Sequence, residues 1–253
     1  MSDHPFKTIE LEILTACDLT CFGCDRMSDV TTAPNMKLEQ VRAFVDESLD
    51  LGWEWERIRL LGGEPTLHPQ FMEMVGELVR YRETFPSAFL QVLTNGLGKA
   101  DQYRDRLTAL GISLHAEAKT KGVTPEWFNN TRIVPIDRDP SIGAVPPCGI
   151  FGPRGCGIGL TRHGYFLDGA GATVARVAGY DVGVMRLRDV TMDAMLEQAK
   201  TLCRACGHWN TADRILTEKV SVTGEVTGPF WTEKLAAFKM KRPALRLYNG
   251  GDA

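Results

Sequence analysis

The sequence predicts an α/β protein in two parts, a larger unit over residues 1–143 and a smaller one over 144–253. Three observations lead there. Strand-like and helix-like hydrophobic periods alternate from residue 9 to residue 136, the order expected when helices cover a mostly parallel sheet. The first strand runs into a loop with three closely spaced cysteines. From Ala144 the composition turns to glycine and proline, and a second set of cysteines begins.

In the first strand Ile9, Leu11, Ile13 and Leu14 interleave with Glu10, Glu12 and Thr15, a strand pattern ending in a buried run. It delivers Cys17, Cys21 and Cys24, spaced C-x3-C-x2-C. Three thiolates on a short loop can hold three corners of a cubane [4Fe-4S] cluster and leave one iron open. A structural zinc knuckle fits less well, because zinc wants four ligands and this local set is odd. A disulfide framework fits least, since this long chain has only seven cysteines and no secretory leader is read in residues 1–7.

Residues 28–35 are polar and contain Pro34, a loop. Leu38, Val41, Phe44, Val45 and Leu49 recur at helical spacing and Gly52 closes them. Ile58, Leu60 and Leu61 form a second strand that stops at Gly62-Gly63-Glu64-Pro65, where two glycines let backbone approach a ligand closely. Phe71, Met74, Val75, Leu78 and Val79 give a second helix and residues 89–93 a third strand. That strand stops at Thr94-Asn95-Gly96, which reads equally as a turn or as polar groups offered to a bound molecule. A helix over 103–110 ends at Gly111.

The fourth strand, 112–119, places Ser113, His115, Glu117 and Lys119 on one face, which points inward if the sheet curls into a barrel. Buried polar groups are costly unless paired or working. The set is therefore the first candidate for substrate contact and proton transfer, with a self-satisfied ionic network as the alternative. Trp127 and Phe128 sit on a helical turn, and 131–136 is a fifth strand. Asp137-Arg138-Asp139-Pro140 follows, either a solvated loop or the rim of the barrel mouth.

In the smaller unit Cys148 and Cys156 lie among glycines and prolines. Cys203 and Cys206 form a C-x2-C pair at the end of a helix starting near Met192. On spacing alone these four thiolates suit either a fully ligated [4Fe-4S] cluster or structural zinc. His208 and Trp209 read as packing residues, and 220–226 as a hairpin around Gly224. Phe230, Trp231, Leu235 and Phe238 make the apolar face of a helix before a solvated basic run, Lys239 to Arg242.

A net charge of −3 gives no reason to expect a nucleic-acid partner. No apolar run approaches the roughly 20 residues of a membrane span. A reducing cytoplasm, where free thiols suit metal binding, is the expected setting.

The three-cysteine loop one β/α unit before G-G-E-P resembles the radical S-adenosylmethionine (radical SAM) superfamily, and the likeness covers roughly residues 8–210. It implies a truncated partial (β/α) barrel with a small C-terminal, twitch-like auxiliary cluster domain. It also implies that the open iron binds SAM, which is reduced to methionine and a 5′-deoxyadenosyl radical. Gly62, Gly63, Glu64 and Pro65 would hold the amino group of SAM, with Thr94, Asn95 and Ser113 beside it. The family places an aromatic residue just before its third cysteine. Here Gly23 stands there and Phe22 one place earlier, so these two would lie near the adenine.

The second cysteine set resembles the twitch domain, shortened relative of the SPASM domain, and makes residues 160–167 a hairpin turning at Arg162, His163 and Gly164. It assigns Cys148, Cys156, Cys203 and Cys206 to a second [4Fe-4S] cluster, with Asp168 where the pattern normally has a ligand. Five strands and few helices resemble the small radical SAM dehydrogenases of aminocyclitol biosynthesis. The implied reaction oxidises a small carbohydrate-like substrate to a ketone, with His115 or Lys119 as base, Glu117 beside them, and Arg138 or Arg154 steadying negative charge. A one-electron donor such as flavodoxin or ferredoxin is the implied partner. A redox-neutral epimerase or dehydratase and a peptide-modifying enzyme are alternatives within the resemblance. A non-catalytic iron–sulfur or zinc scaffold is the alternative outside it.

Overall fold

Along β1 (Thr8–Leu14), Ile9, Leu11 and Ile13 are buried on one face and Glu10 and Glu12 are buried on the other. A strand covered on both sides belongs in the middle of a layered sheet. The computed structural model describes residues 4–19, 24–28, 31, 33–97, 99–116, 137–138, 157–207 and 228–250. The expected fifth strand at 131–136, the helical turn of Trp127 and Phe128, the pair His208 and Trp209, and the hairpin at 220–226 lie outside them.

Among the described residues the sheet has six strands in the order β4-β3-β2-β1-β5-β6 and does not close: β2 (Arg57–Gly62), β3 (Phe89–Thr94), β4 (Ser113–Ala116), β5 (Ile158–Thr161) and β6 (Gly164–Phe166) join β1. Every pairing is parallel except β5 with β6. The architecture is α/β and consistent with a partial barrel.

α1 (Leu38–Asp50), α2 (Phe71–Thr84) and α3 (Ala100–Ala109) connect the strands, and the residues at helical spacing are the ones buried: Leu38, Val41, Phe44 and Val45 on α1, Phe71, Met74, Val75 and Leu78 on α2. They meet Ile9, Leu11, Ile13, Ile58, Leu60 and Leu90 in one core. Gly52 and Gly111 end α1 and α3 at φ +60° and +62°, backbone that favours glycine. α3 starts at Ala100, three residues before the expected start, because its first turn is polar and gives no hydrophobic period.

The hairpin expected at 160–167 is present as β5 and β6, and its place is beside β1, with Ile9 opposite Ile158 and Leu11 opposite Leu160. α4 (Gly169–Ala178), α5 (Met192–Leu202) and α6 (Pro229–Met240) follow. α5 leads straight into the 3₁₀ turn Cys203–Ala205, as the spacing predicts. Trp231, Leu235 and Phe238 of α6 pack with Val174 and Val177 of α4, Leu202, Phe166 and Met27 in a second core. The basic run Lys239 to Arg242, which begins in the last turn of α6, is exposed.

Past it the chain returns to the first half. The fully buried Tyr248 donates from its hydroxyl to Glu47 on α1 (2.8 Å) and from its amide to the Arg162 carbonyl (2.8 Å). Among the described residues no helix is long and apolar enough to cross a membrane.

Candidate active site

The carboxyl ends of β1, β2 and β3 converge, the face where parallel α/β sheets bind ligands. Where β1 leaves the sheet, Gly63 N donates to the Leu14 carbonyl (3.0 Å) and Glu64 N to the Ala16 carbonyl (2.9 Å). A Cβ on Gly62 would strike the Leu14 carbonyl, and one on Gly63 the carbonyls of Thr15 and Ala16. The glycine pair is what lets the end of β2 lie against the root of the cysteine loop.

Glu64 is completely buried. Its carboxylate accepts from Thr66 N (3.1 Å), Thr66 Oγ1 (2.6 Å), Thr94 Oγ1 (2.8 Å) and Asn95 N (2.8 Å). Asn95 in turn donates from Nδ2 to Asp18 Oδ1 (2.7 Å) and approaches Cys17 Sγ at 3.8 Å, while Leu19 N donates to the same sulfur (3.4 Å). One unbroken hydrogen-bonded chain thus runs from G-G-E-P through Thr94 and Asn95 to the first cysteine. The Glu64 and Thr94 side chains and the Asn95 backbone amide bond one another and shape the site from behind, while the Asn95 side chain turns to Asp18 and Cys17. Pro65 sits at the first position of the 3₁₀ turn Pro65–Leu67, where its missing N–H is no loss.

At the other end of the loop, Cys24 Sγ lies 3.8 Å from Ser28 Oγ and the Cys24 carbonyl accepts from Met27 N (2.9 Å). Met27 is fully buried at φ +49°, a conformation a non-glycine residue adopts at a cost. N–H donors converging on Cys17 suit a sulfur that is a metal-bound thiolate. On that ground the residues present fit a [4Fe-4S] cluster. Cys21 lies outside the described residues, as do Phe22 and Gly23. Among the described residues no three His, Cys, Asp or Glu side chains gather into a metal site.

Sequence reasoning missed the charges behind the loop. Arg26 bonds Glu10 (2.7 Å) and lies 3.5 Å from Glu12, Arg59 bonds Glu10 (2.9 Å), and Arg176 bonds Glu12 (2.7 Å). Burial disfavours the Arg26 cation, but Glu10 and Glu12 outweigh it and raise its pKa. The available signal was two glutamates alternating along a strand that both its neighbours bury.

Elsewhere the expected residues separate. Ser113 is half-buried and His115 exposed, on the edge strand β4 of the described sheet. Arg138 Nη1 reaches the Cys203 carbonyl at 3.4 Å. Burial, with Asp168 adding and Arg138 opposing, pushes the Cys203 thiol up to about 11, so binding a metal there must displace a proton. Asp168 caps α4, accepting from Gly171 N. The turn between Cys203 and Cys206 is held from behind by Trp231, whose Nε1 donates to the Ala205 carbonyl (3.0 Å). Glu117, Lys119, Cys148, Arg154 and Cys156 lie outside the described residues.

Residues 11–123 match the model of the Radical SAM superfamily. The chain is similar to a probable GTP 3′,8-cyclase of Thermoplasma volcanium, 25% identical over 150 residues that make 56% of this chain and 44% of the relative. It is 32% identical to the GTP 3′,8-cyclase of Pectobacterium atrosepticum over 117 residues, 43% of this chain and 34% of the relative. The chain therefore spans less than half the length of the curated relatives it matches. Among solved structures it is similar to BtrN in complex with AdoMet and 2-DOIA (26% identity, 46% of this chain and 48% of that one, TM-score 0.39). A selenomethionine BtrN in an open conformation aligns over 98% of this chain and 88% of that one, at 18% identity and TM-score 0.38.

Proposed function

We propose that this chain, whose residues 11–123 match the Radical SAM superfamily model, uses an adenosyl radical to take hydrogen from a small polar substrate and oxidise it. One observation carries the reading: the bonded path from Glu64 through Asn95 to Cys17, which makes the cysteine loop and the glycine turn a single preorganised unit. Cys17, Cys21 and Cys24 would hold a [4Fe-4S] cluster with one open iron, which when bound supplies the electron that splits SAM into methionine and the 5′-deoxyadenosyl radical.

In this reading the Gly62-Gly63 backbone meets the amino group of SAM, and Glu64, Thr94 and Asn95 keep that backbone in place. Phe22 and Gly23 flank the adenine and Ser113 lies nearby. His115 takes the hydroxyl proton of the substrate, with Glu117 and Lys119 along the same strand, and Arg138 balances negative charge beside Cys203. Cys148, Cys156, Cys203 and Cys206 would hold a second [4Fe-4S] cluster, which supplies the electron acceptor. A flavodoxin or ferredoxin is the proposed donor of the first electron.

The test is anaerobic reconstitution. About eight irons per chain, as two four-iron clusters require, and dithionite-dependent release of 5′-deoxyadenosine are expected. Bound zinc without SAM cleavage would overturn the reading, and ketone formation at full rate by a Cys203→Ala, Cys206→Ala protein would remove the second cluster as electron acceptor. A second reading comes from the relatives named GTP 3′,8-cyclase, and would make GTP the substrate. Consumption of GTP by the reduced, reconstituted protein decides for it.

A further inference from the structure

Next to the charge cluster lies a narrow pocket that the function above leaves unused. Its walls are Glu12 and Thr15, Pro34 of the 33–36 loop, Arg162 and His163 at the hairpin turn, and Arg176 of α4. Charge here does not cancel. Arg26, Arg59 and Arg176 are matched by Glu10, Glu12 and Asp25. Arg162 adds a fourth guanidinium, lowered from its ordinary pKa by burial, and among the described residues it forms no ion pair.

Hydrogen bonding is unbalanced as well: among the described residues one wall oxygen, Glu12 Oε2, lacks a donor, while two guanidinium N–H groups lack an acceptor. Among the described residues, the Nε of Arg176, which is 5% exposed, has no acceptor, and the buried Nε of Arg162 has none either. A buried N–H without an acceptor is destabilising, and an oxygen anion entering the pocket is what would relieve both. His163 feels the same field: burial, with Arg162 and Arg176 adding, holds its imidazole below the usual 6.5 against the Arg246 carbonyl and Glu12. The turn is braced from outside, since the Arg162 carbonyl accepts from Tyr248 N (2.8 Å) and His163 Nδ1 pairs with the Arg246 carbonyl (2.8 Å). A braced wall binds with less ordering cost than a free loop.

We propose that this pocket binds a small oxyanion, the carboxylate or phosphate group of a substrate, through Arg162 and Arg176 with His163 alongside. Only the word substrate rests on the function proposed above. The reconstituted holoenzyme, with SAM bound to fill the open iron and no reductant, is titrated calorimetrically with inorganic phosphate and separately with acetate at constant ionic strength. One saturable site per chain is expected, weakened at least about tenfold in Arg162→Gln. Arg162→Lys, which keeps the charge and loses the fork, should fall between and serves if the glutamine variant fails to fold. The tighter of the two anions tells phosphate from carboxylate. Saturation by neither anion, or wild-type affinity in both variants, overturns the proposal. Reductive SAM cleavage is measured on the same preparation, so its failure with anion binding intact would refute the proposed function and leave the pocket standing.

Discussion

Among the described residues Glu64 pairs with no cation, and its carboxylate is satisfied by two hydroxyls and two amides in the interior. Glu64→Ala leaves those donors buried and unpaired at about 1–3 kcal/mol each, in part relieved by water. The expected outcome is a lower urea midpoint and fewer irons retained per chain after reconstitution, with Glu64→Gln milder in both. Gly63 makes a sharper test. Its missing Cβ is replaced in space by the Thr15 and Ala16 carbonyls, whereas Gly76, exposed in the middle of α2, has open room. Gly63→Ala should abolish SAM binding measured by equilibrium dialysis, and Gly76→Ala should raise stability by about 0.5–1 kcal/mol with binding unchanged.

At the scale of elements, α6 is the part that ties the second cysteine pair to the fold. Asp137 accepts from the first amides of the helix, Phe230 N (3.0 Å) and Trp231 N (3.1 Å), and the fully buried Trp231 plugs the second core while bonding the Ala205 carbonyl. Trp231→Ala should cost about 3–5 kcal/mol in urea unfolding, the usual range for emptying a buried aromatic site. Trp231→Phe keeps most of the volume and isolates the single hydrogen bond, worth about 1 kcal/mol. Equal losses in the two variants would show that packing is not what α6 contributes.

For the whole molecule, acid is the expected weakness. His4 and His68 are driven below 6.5 chiefly by burial, as is His163. His68 shows why: its Nδ1 accepts from Gln70 N (3.0 Å), leaving Nε2 to donate to the Met36 carbonyl (3.0 Å), so a second proton would face the Gln70 N–H. The folded state therefore binds fewer protons than the unfolded one below pH 6.5, and stability falls as pH drops through that value. Urea midpoints at about pH 7.5, 6.5 and 5.5 should decline in that order, and His68→Gln should flatten the decline. A midpoint that rises on acidification would contradict the assignment.

What lies in local spacing was legible from residues alone. The C-x3-C-x2-C loop, the glycine turn, the helix from Met192 into C-x2-C, the apolar face of α6 and the stops at Gly52 and Gly111 each depend on neighbours within a turn or two. Tertiary structure alone decided which distant groups meet. Arg176 pairs with Glu12 across 164 positions, the hairpin's register is chosen by β1, and Tyr248 returns to α1 across 201 positions from Glu47. Periodicity says that a face is buried and nothing about what buries it. Partner choice at such separations is settled by the packing of the whole sheet and its two covering layers, where a buried charge must find its counter-charge wherever in the chain that happens to be.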